Sequence, residues 1–323
     1  MNLTELCVSK IYLDWMPVVI ESILIFVTNG PILLFIMCRR RLRTRSMCVM
    51  ASSAICSIIF GCFYLVKGLL NMYCEFHSKP ILCTIIQALE WGLASIFALH
   101  VTLISLERYF AIAYPFKYQR LATPCRLAFL LAIIWLFPLL IMSLPMILYD
   151  FSHGQICLNW SNDPIFSKIF TYFLVLMLSY FPPFAILLTY SGIICILQHR
   201  ARRVHAIEYV NQGFTQRIAK VLIQMLLMTG IYVTLTSPFA IFSITISTEN
   251  SPTLLKLSFL TYFLAIFYLI VHPFLCAYFT ANLKDEIGKR FRTSFAFFNR
   301  STVEILPSNF IQSSYHNANS QNT

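Results

Sequence analysis

Leu106-Glu107-Arg108-Tyr109-Phe110-Ala111-Ile112-Ala113-Tyr114-Pro115-Phe116-Lys117-Tyr118 closes a long apolar run that begins near Ile81. An acid, an arginine and an aromatic at the foot of a hydrophobic helix are costly to bury, so the triplet belongs where lipid meets water and has work to do there. From Cys83 to Arg108 is about 25 residues, or roughly 37 Å at about 1.5 Å per residue. That is enough to cross a hydrocarbon core of about 30 Å with some tilt. Cys83 is therefore expected at the opposite surface.

The rest of the chain has the same character. Of its 323 residues, 58% are hydrophobic and 11% are charged, and the mean hydropathy is +0.72; a soluble domain carries about 25% charge. Seven apolar segments, at roughly 16–38, 47–70, 81–106, 127–149, 166–197, 219–246 and 254–281, are each long enough to span. The connections are short, with no low-complexity linker. The fold class is an all-α membrane protein, a seven-transmembrane helix bundle over residues 16–281, so function must lie within the bundle and its loops.

A formal charge of +11 raises the question of nucleic acid, and the distribution of that charge answers it. The basic residues gather in four clusters: Arg39 to Arg45; Arg108, Lys117, Arg120 and Arg126; Arg200 to Lys220; and Lys284 to Arg300. Only Lys10, Lys67, Lys79, Lys168 and Lys256 stand apart, on or near the other side. This is the positive-inside pattern, with residues 1–15 as an extracellular N-terminus and the C-terminus in the cytosol. The lipid bilayer is the partner implied, and no nucleic acid is needed. The first fifteen residues lack the pattern of a removable signal, so the first segment is expected to direct its own insertion. Sequons at Asn2 and Asn159 fall outside and are open to glycosylation, whereas the one at Asn299 falls in the cytosolic tail. The eleven cysteines are scattered rather than set at metal-ligand spacing, so neither metal nor cofactor is expected.

Cys83, the Glu107-Arg108-Tyr109 triplet and the Ala111-x-x-x-Pro115-Phe116-x-Tyr118 stretch resemble the third transmembrane helix and second inner loop of rhodopsin-like (class A) G-protein-coupled receptors. The resemblance extends from residue 16 to about 295. Asn29 in the first segment and Trp135 in the fourth match family positions. So do Pro182 with Tyr190 in the fifth, Pro238 in the sixth and Pro273 in the seventh. Prolines 182 and 238 are expected to kink their helices.

The departures are equally specific. Ser57, Phe97 and His272 replace the polar trio that binds sodium in the family, and cannot supply anionic oxygens, so no sodium modulation is expected. Thr236 stands for the tryptophan of the sixth segment, Tyr232 for its phenylalanine and Cys276 for the tyrosine of the seventh. These losses resemble divergent chemosensory members such as nematode chemoreceptors.

The resemblance implies a receptor, not an enzyme. A ligand would shift the fifth and sixth segments about Pro182 and Pro238 and open a cleft at Arg108 for a heterotrimeric G protein. Arrestin and a receptor kinase are further partners. It also implies a Cys83–Cys157 bridge; Cys7 and Cys74 form either a second bridge or free thiols. In the resting family fold the arginine pairs with the preceding acid, here Glu107, and many members add an acid at the foot of the sixth segment. That foot reads Gln216-Arg217-Ile218-Ala219-Lys220, whose cations repel Arg108, so a weak resting lock and raised basal signalling are expected.

Glu90 lies where amine receptors carry their ligand-binding aspartate, but Leu174, Val175 and Leu178 occupy the places of their serines. Lys67 should reach the same depth. Three readings of Glu90 stand open: an internal pair with Lys67, an anchor for ligand, or a solvated vestibule residue. Gln87, Trp91, Phe239, Ser243 and Tyr262 fall at heights where such pockets collect contacts, and ordinary helix packing is the simpler reading of each. A compact N-terminus points to a small molecule or a short peptide. Beyond the bundle, Leu283, Ile287 and Phe291 recur every four residues among charges, an amphipathic surface helix over 282–298 that lacks a cysteine for palmitoylation. Residues 299–323 read as a disordered cytosolic tail with sites for phosphorylation.

Other classes fit less well. A retinal protein needs a lysine where Ile266 stands, and no internal repeat suggests a transporter. No nucleophile-base or metal motif suggests an intramembrane enzyme. A non-signalling decoy or scaffold remains as the alternative, against which stand the intact Glu107-Arg108-Tyr109 and Tyr190.

Overall fold

The computed structural model describes residues 3–42, 44–72, 80–121, 123–148, 164–203, 212–248, 252–280, 283–284 and 288–289. Among the described residues nine α-helices follow in order: α1 (Leu3–Cys38), α2 (Arg45–Met72), α3 (Pro80–Ala113), α4 (Pro115–Leu121), α5 (Pro124–Leu148), α6 (Pro164–Val175), α7 (Phe181–Arg203), α8 (Gln212–Thr248) and α9 (Pro252–Phe279). A 3₁₀ turn at Arg40–Leu42 precedes α2, and a π-helical turn at Leu176–Tyr180 joins α6 to α7. Seven stretches are long and apolar enough to cross a membrane, beginning with Met16–Cys38 and ending with Lys256–Tyr278. They coincide with the seven segments expected from the sequence.

Several helices run past the expected boundaries, and one difference bears on the site. The third span does not stop at the arginine triplet but runs on as helix to Ala113. The connection that follows forms its own short helix, α4, with Pro115 at its first position, where a missing N–H costs nothing. The backbone is stitched across the junction, Tyr114 N–H to Phe110 O at 3.0 Å and Tyr118 N–H to Tyr114 O at 2.8 Å. Tyr118 is thereby swung back towards α3.

The first three spans pack in order, α8 packs on α9, and α1 also meets α9, while α3 sits between α2, α5 and α7. Small residues set the closest approach, because without a hydrophobic force between helices in lipid the contact must come from tight packing. A Cβ placed on Gly68 would lie 2.9 Å from Val18 Cγ1, and one on Gly61 would lie 3.2 Å from Ile25 Cγ2. The core gathers Ile25, Phe60, Tyr64, Ile96, Val101 and Tyr268, all almost fully enclosed. Outward faces are apolar too: Phe129, Leu140 and Leu260 are more than 60% exposed, as side chains facing lipid must be.

Polar side chains inside the bundle find partners, since an orphan in hydrocarbon is costly. Asn29 Nδ2 donates to Ile25 O at 3.1 Å and to Leu269 O at 3.2 Å, tying α1 to α9. Ser52 is a junction of three helices. Its hydroxyl meets His100 Nε2 at 2.8 Å and accepts from Trp135 Nε1 at 3.0 Å. His100 Nδ1 lies 2.8 Å from Ile96 O, so this nitrogen carries the proton and Nε2 accepts.

Residues 1–279 form one compact unit and 280–323 a second. In the second, the amides of Leu283 and Lys284 both donate to Thr280 O, and residues 283–284 and 288–289 are helical. The rest of the expected 282–298 surface helix, the 299–323 tail, the sequons at Asn2 and Asn159, and Cys74 and Cys157 lie outside the described residues, as do the side chains of Cys7 and Cys83.

Candidate functional site

The structure builds two polar sites on α3, toward opposite ends of its membrane span. The first surrounds Glu90, whose side chain is only 2% exposed. Lys67 on α2 reaches it with Nζ 2.7 Å from Oε2 and 3.1 Å from Oε1. The two side chains form a close ion pair. The hydroxyl of Tyr262 on α9 donates a short hydrogen bond to Oε1. The Lys67 ammonium also lies 5.9 Å and 5.4 Å from the ring centres of Tyr64 and Tyr262. Tyr64 in turn donates to Glu21 Oε2 at 3.2 Å, extending the network to α1.

Beside Glu90 lies a cavity of about 70 Å³, lined by Trp91, Phe97, Tyr232, Phe239, Tyr262 and Tyr268 among others. Trp91 and Phe239 stack with centroids 5.7 Å apart, and Tyr262 closes the trio at 6.0 and 5.3 Å. Of the seven pocket residues expected from the sequence, Glu90, Trp91, Phe239 and Tyr262 line this cavity, and Lys67 joins it through Glu90. Gln87 and Ser243 are half-buried and are not brought to its wall.

Where the family places its ion site, the three positions have become an aromatic cluster. The Phe97 and His272 rings meet at 5.0 Å, His272 Nε2 lies 3.5 Å from Cys276 Sγ, and Ser57 donates to its own helix at Ser53 O.

Between the two sites the π turn explains itself from sequence. In an α-helix the carbonyl of Leu178 would accept from residue 182, and in a π-helix from residue 183; both are prolines and neither has an N–H. The orphan carbonyl is taken by the hydroxyl of Tyr232 on α8, in a short hydrogen bond. Tyr232 therefore does more than replace an aromatic ring. Its hydroxyl joins the two proline-bearing helices, and its ring packs edge-on against Tyr268 at 4.9 Å. Pro182 and Pro183 are buried, and helices α8 and α9 continue through Pro238 and Pro273.

The second site is the arginine triplet. Glu107 does not pair with Arg108, contrary to the resting arrangement implied by the family. Glu107 Oε1 accepts instead from Tyr118 on α4 at 2.7 Å, while Glu107 Oε2 and Arg108 Nε are buried with no hydrogen-bond partner. Burial, and then the Glu107 carboxylate beside it, push the Tyr118 phenol up to about 12, so it remains a donor across the physiological range. Arg45 stacks over the other side of that ring at 5.9 Å. Tyr109 lies against α7, where a Cβ on Gly192 would come within 2.8 Å of its ring. Tyr190 is half-buried on α7; the foot of α8, with Gln216, Arg217 and Lys220, is helical, and its side chains lie outside the described residues.

Sequence reasoning named Tyr118 only as part of a motif, with no role, and did not single out Tyr64 or the hydroxyl of Tyr232. The tandem prolines at 182 and 183 were the available signal for the last of these.

A bundle of seven spans, with an enclosed pocket toward one end of α3 and an acid-arginine-aromatic triplet at the other, is a receptor architecture. The chain belongs to the rhodopsin family of seven-transmembrane receptors, whose family model matches residues 28–275. Among its relatives, the histamine H2 receptor of Cavia porcellus is 29% identical over 199 residues, covering 58% of this chain and 55% of that protein. The histamine H2 receptor of Homo sapiens is 31% identical over 121 residues, 36% of this chain and 34% of its own. G-protein coupled receptor 52 of Mus musculus is 33% identical over 180 residues, 50% and 48% of the two chains. The chain spans about half the length of the curated relatives it matches.

Proposed function

We propose that this chain is a plasma-membrane receptor with its N-terminus outside. A small extracellular molecule or short peptide binds at the Glu90 end, and a heterotrimeric G protein is activated at the Arg108 end. The observation that carries this is the state of Arg108: its buried Nε has no partner while Tyr118 engages the neighbouring acid. A buried, unsatisfied donor is costly. A cytosolic protein that offers it a carbonyl or carboxylate gains that bond without first breaking an internal one.

Ligand binding acts by population shift. The ligand must prefer one arrangement of α7 and α8 about Pro182 and Pro238 over another, and the differential affinity sets the size of the response. Pro273 and Tyr190 belong to the same reading, as do a Cys83–Cys157 bridge, glycans on Asn2 and Asn159, and regulation of the 299–323 tail by a receptor kinase and arrestin. The relatives named for histamine make an amine the first class of ligand to consider. The replaced positions Ser57, Thr236 and Cys276 favour a divergent, chemosensory ligand instead.

The test is ligand-free G-protein activation in cells, comparing wild type with Arg108→Ala at equal surface expression. The expected result is a wild-type signal above empty vector that the substitution abolishes. A signal that survives Arg108→Ala overturns the coupling role of Arg108, and a wild-type signal at the vector level overturns the unlocked resting state.

A further inference from the structure

The environment of the Lys67 ammonium is one that recognises cations: a carboxylate that accepts through both oxygens, at 2.7 and 3.1 Å, and two tyrosine rings at 5.4 and 5.9 Å. Carboxylate plus aromatic faces is how a pocket binds a ligand's ammonium group. Here the chain fills that place itself, from a side chain anchored on α2. We propose that Lys67 is a tethered internal ligand, occupying the cation subsite of Glu90, Tyr64 and Tyr262, so that the adjoining cavity takes a small uncharged aromatic molecule and excludes amines. This rests on the reading of that cavity as the ligand site.

Three observations lead there. First, the pair is neutral in sum and Glu90 is already engaged, with Oε1 accepting from both Lys67 and Tyr262. Second, the remaining wall is aromatic and aliphatic apart from Ser179 and Thr236, whose hydroxyl donates to Tyr232 O at 2.8 Å, and among the described residues Glu90 is the one charged residue that lines it. Third, the tether gives the internal ammonium an effective concentration on the order of millimolar. If the Lys67 ammonium itself has a micromolar intrinsic affinity for this subsite, any competing free amine binds roughly a thousandfold more weakly than to an open Glu90. The cavity, about 70 Å³, has room for about five waters, which sets the scale of the molecule as small.

The experiment uses the purified full chain and reads thermal unfolding, which needs no G protein. Removing the side chain beyond Cβ in Lys67→Ala lowers Tm, and n-propylammonium, the fragment removed, restores it in a saturable manner, whereas n-propanol does not. Adding Glu90→Gln removes that rescue; the double variant, which has neither charge, also serves as the folded reference should Lys67→Ala be poorly stable. With wild type, indole raises Tm and tryptamine raises it no further. In Lys67→Ala tryptamine half-saturates at a concentration at least tenfold below indole. The proposal is overturned if n-propylammonium fails to rescue Lys67→Ala, if indole leaves wild type unchanged, or if tryptamine stabilises wild type more than indole does. Because the readout is binding, absence of G-protein activation would defeat the receptor reading and leave this result standing, and the reverse holds equally.

Discussion

Helix α3 carries one charged site near each end of its membrane span, and the two are satisfied in opposite ways. At the Glu90 end every charge has a partner: Lys67 and Tyr262 hold the carboxylate, and Tyr64 links the cluster to Glu21. At the Arg108 end the charges are side by side in sequence, yet Arg108 Nε and Glu107 Oε2 are left without hydrogen bonds. Burying a charge is costly wherever it occurs, so the contrast separates a site closed by its own chain from one left open to a partner. The closed end supports the fold. The open end holds interactions in reserve.

The largest expected effect tests the closed end. Glu90→Ala strands the Lys67 ammonium among apolar neighbours and should cost about 3–5 kcal/mol. Glu90→Gln with Lys67→Met, which removes both charges while keeping volume, should recover most of that; thermal unfolding of the purified chain decides. If the single and double variants fall equally, the Glu90 end is not held by charge pairing and the contrast with Arg108 collapses.

Between the ends, Tyr232→Phe orphans the carbonyl of Leu178 at no change in ring packing, for an expected loss of about 1–3 kcal/mol. Hydrogen exchange should accelerate locally across 176–184 and not in α1 or α2. Uniform acceleration would mean that the hydroxyl does not pin the proline pair.

A smaller effect is expected at the open end. Tyr118→Phe removes a single bond to a partly exposed carboxylate, worth about 1 kcal/mol after solvent screening. Its consequence is chiefly functional: Glu107 is released to pair with Arg108, and ligand-free G-protein activation should fall at equal surface expression. A rise would show that Tyr118 restrains the triplet instead of diverting its acid.

The smallest is Gly192→Ala, whose new Cβ would lie 2.8 Å from the Tyr109 ring, too close for a real contact, so that the ring must swing aside. A change in Tm of no more than a few degrees is expected, together with a measurable change in basal signal, because the displaced ring neighbours Arg108. An unchanged basal signal would detach Tyr109 from the open end.

The bundle was legible because lipid imposes one rule on the whole chain. Each span must be apolar, long and helical, so the lengths and spacing of the apolar segments sufficed. The Lys67–Glu90 pair was legible for a related reason: two opposite charges at matched depth have no better partner than each other. What the sequence concealed depends on a few degrees of backbone rotation. Glu107 sits next to Arg108 in the chain, but α4 turns Tyr118 onto the carboxylate first. Gln87 and Ser243 have suitable heights, whereas the cavity wall goes to the residues whose helical phase faces Trp91 and Tyr262. The hydroxyl of Tyr232 acquires its meaning only from a carbonyl on another helix.

The π turn at Leu176–Tyr180 has one more consequence. A regular helix advances about 100° per residue, so accommodating one extra residue in a single turn rotates α6 by about that angle relative to α7. The two halves of this span thus present faces that no single helical wheel describes, with Phe170 and Leu174 buried on one side of the offset and Ile186 and Ile193 on the other. Deleting one residue between 176 and 180 would restore a single phase and turn α6 like a screw within its socket, carrying Phe170 and Leu174 out of the packing they now occupy. The added residue acts as a gear tooth: it fixes the angular setting of the α6 half-span independently of the α7 half.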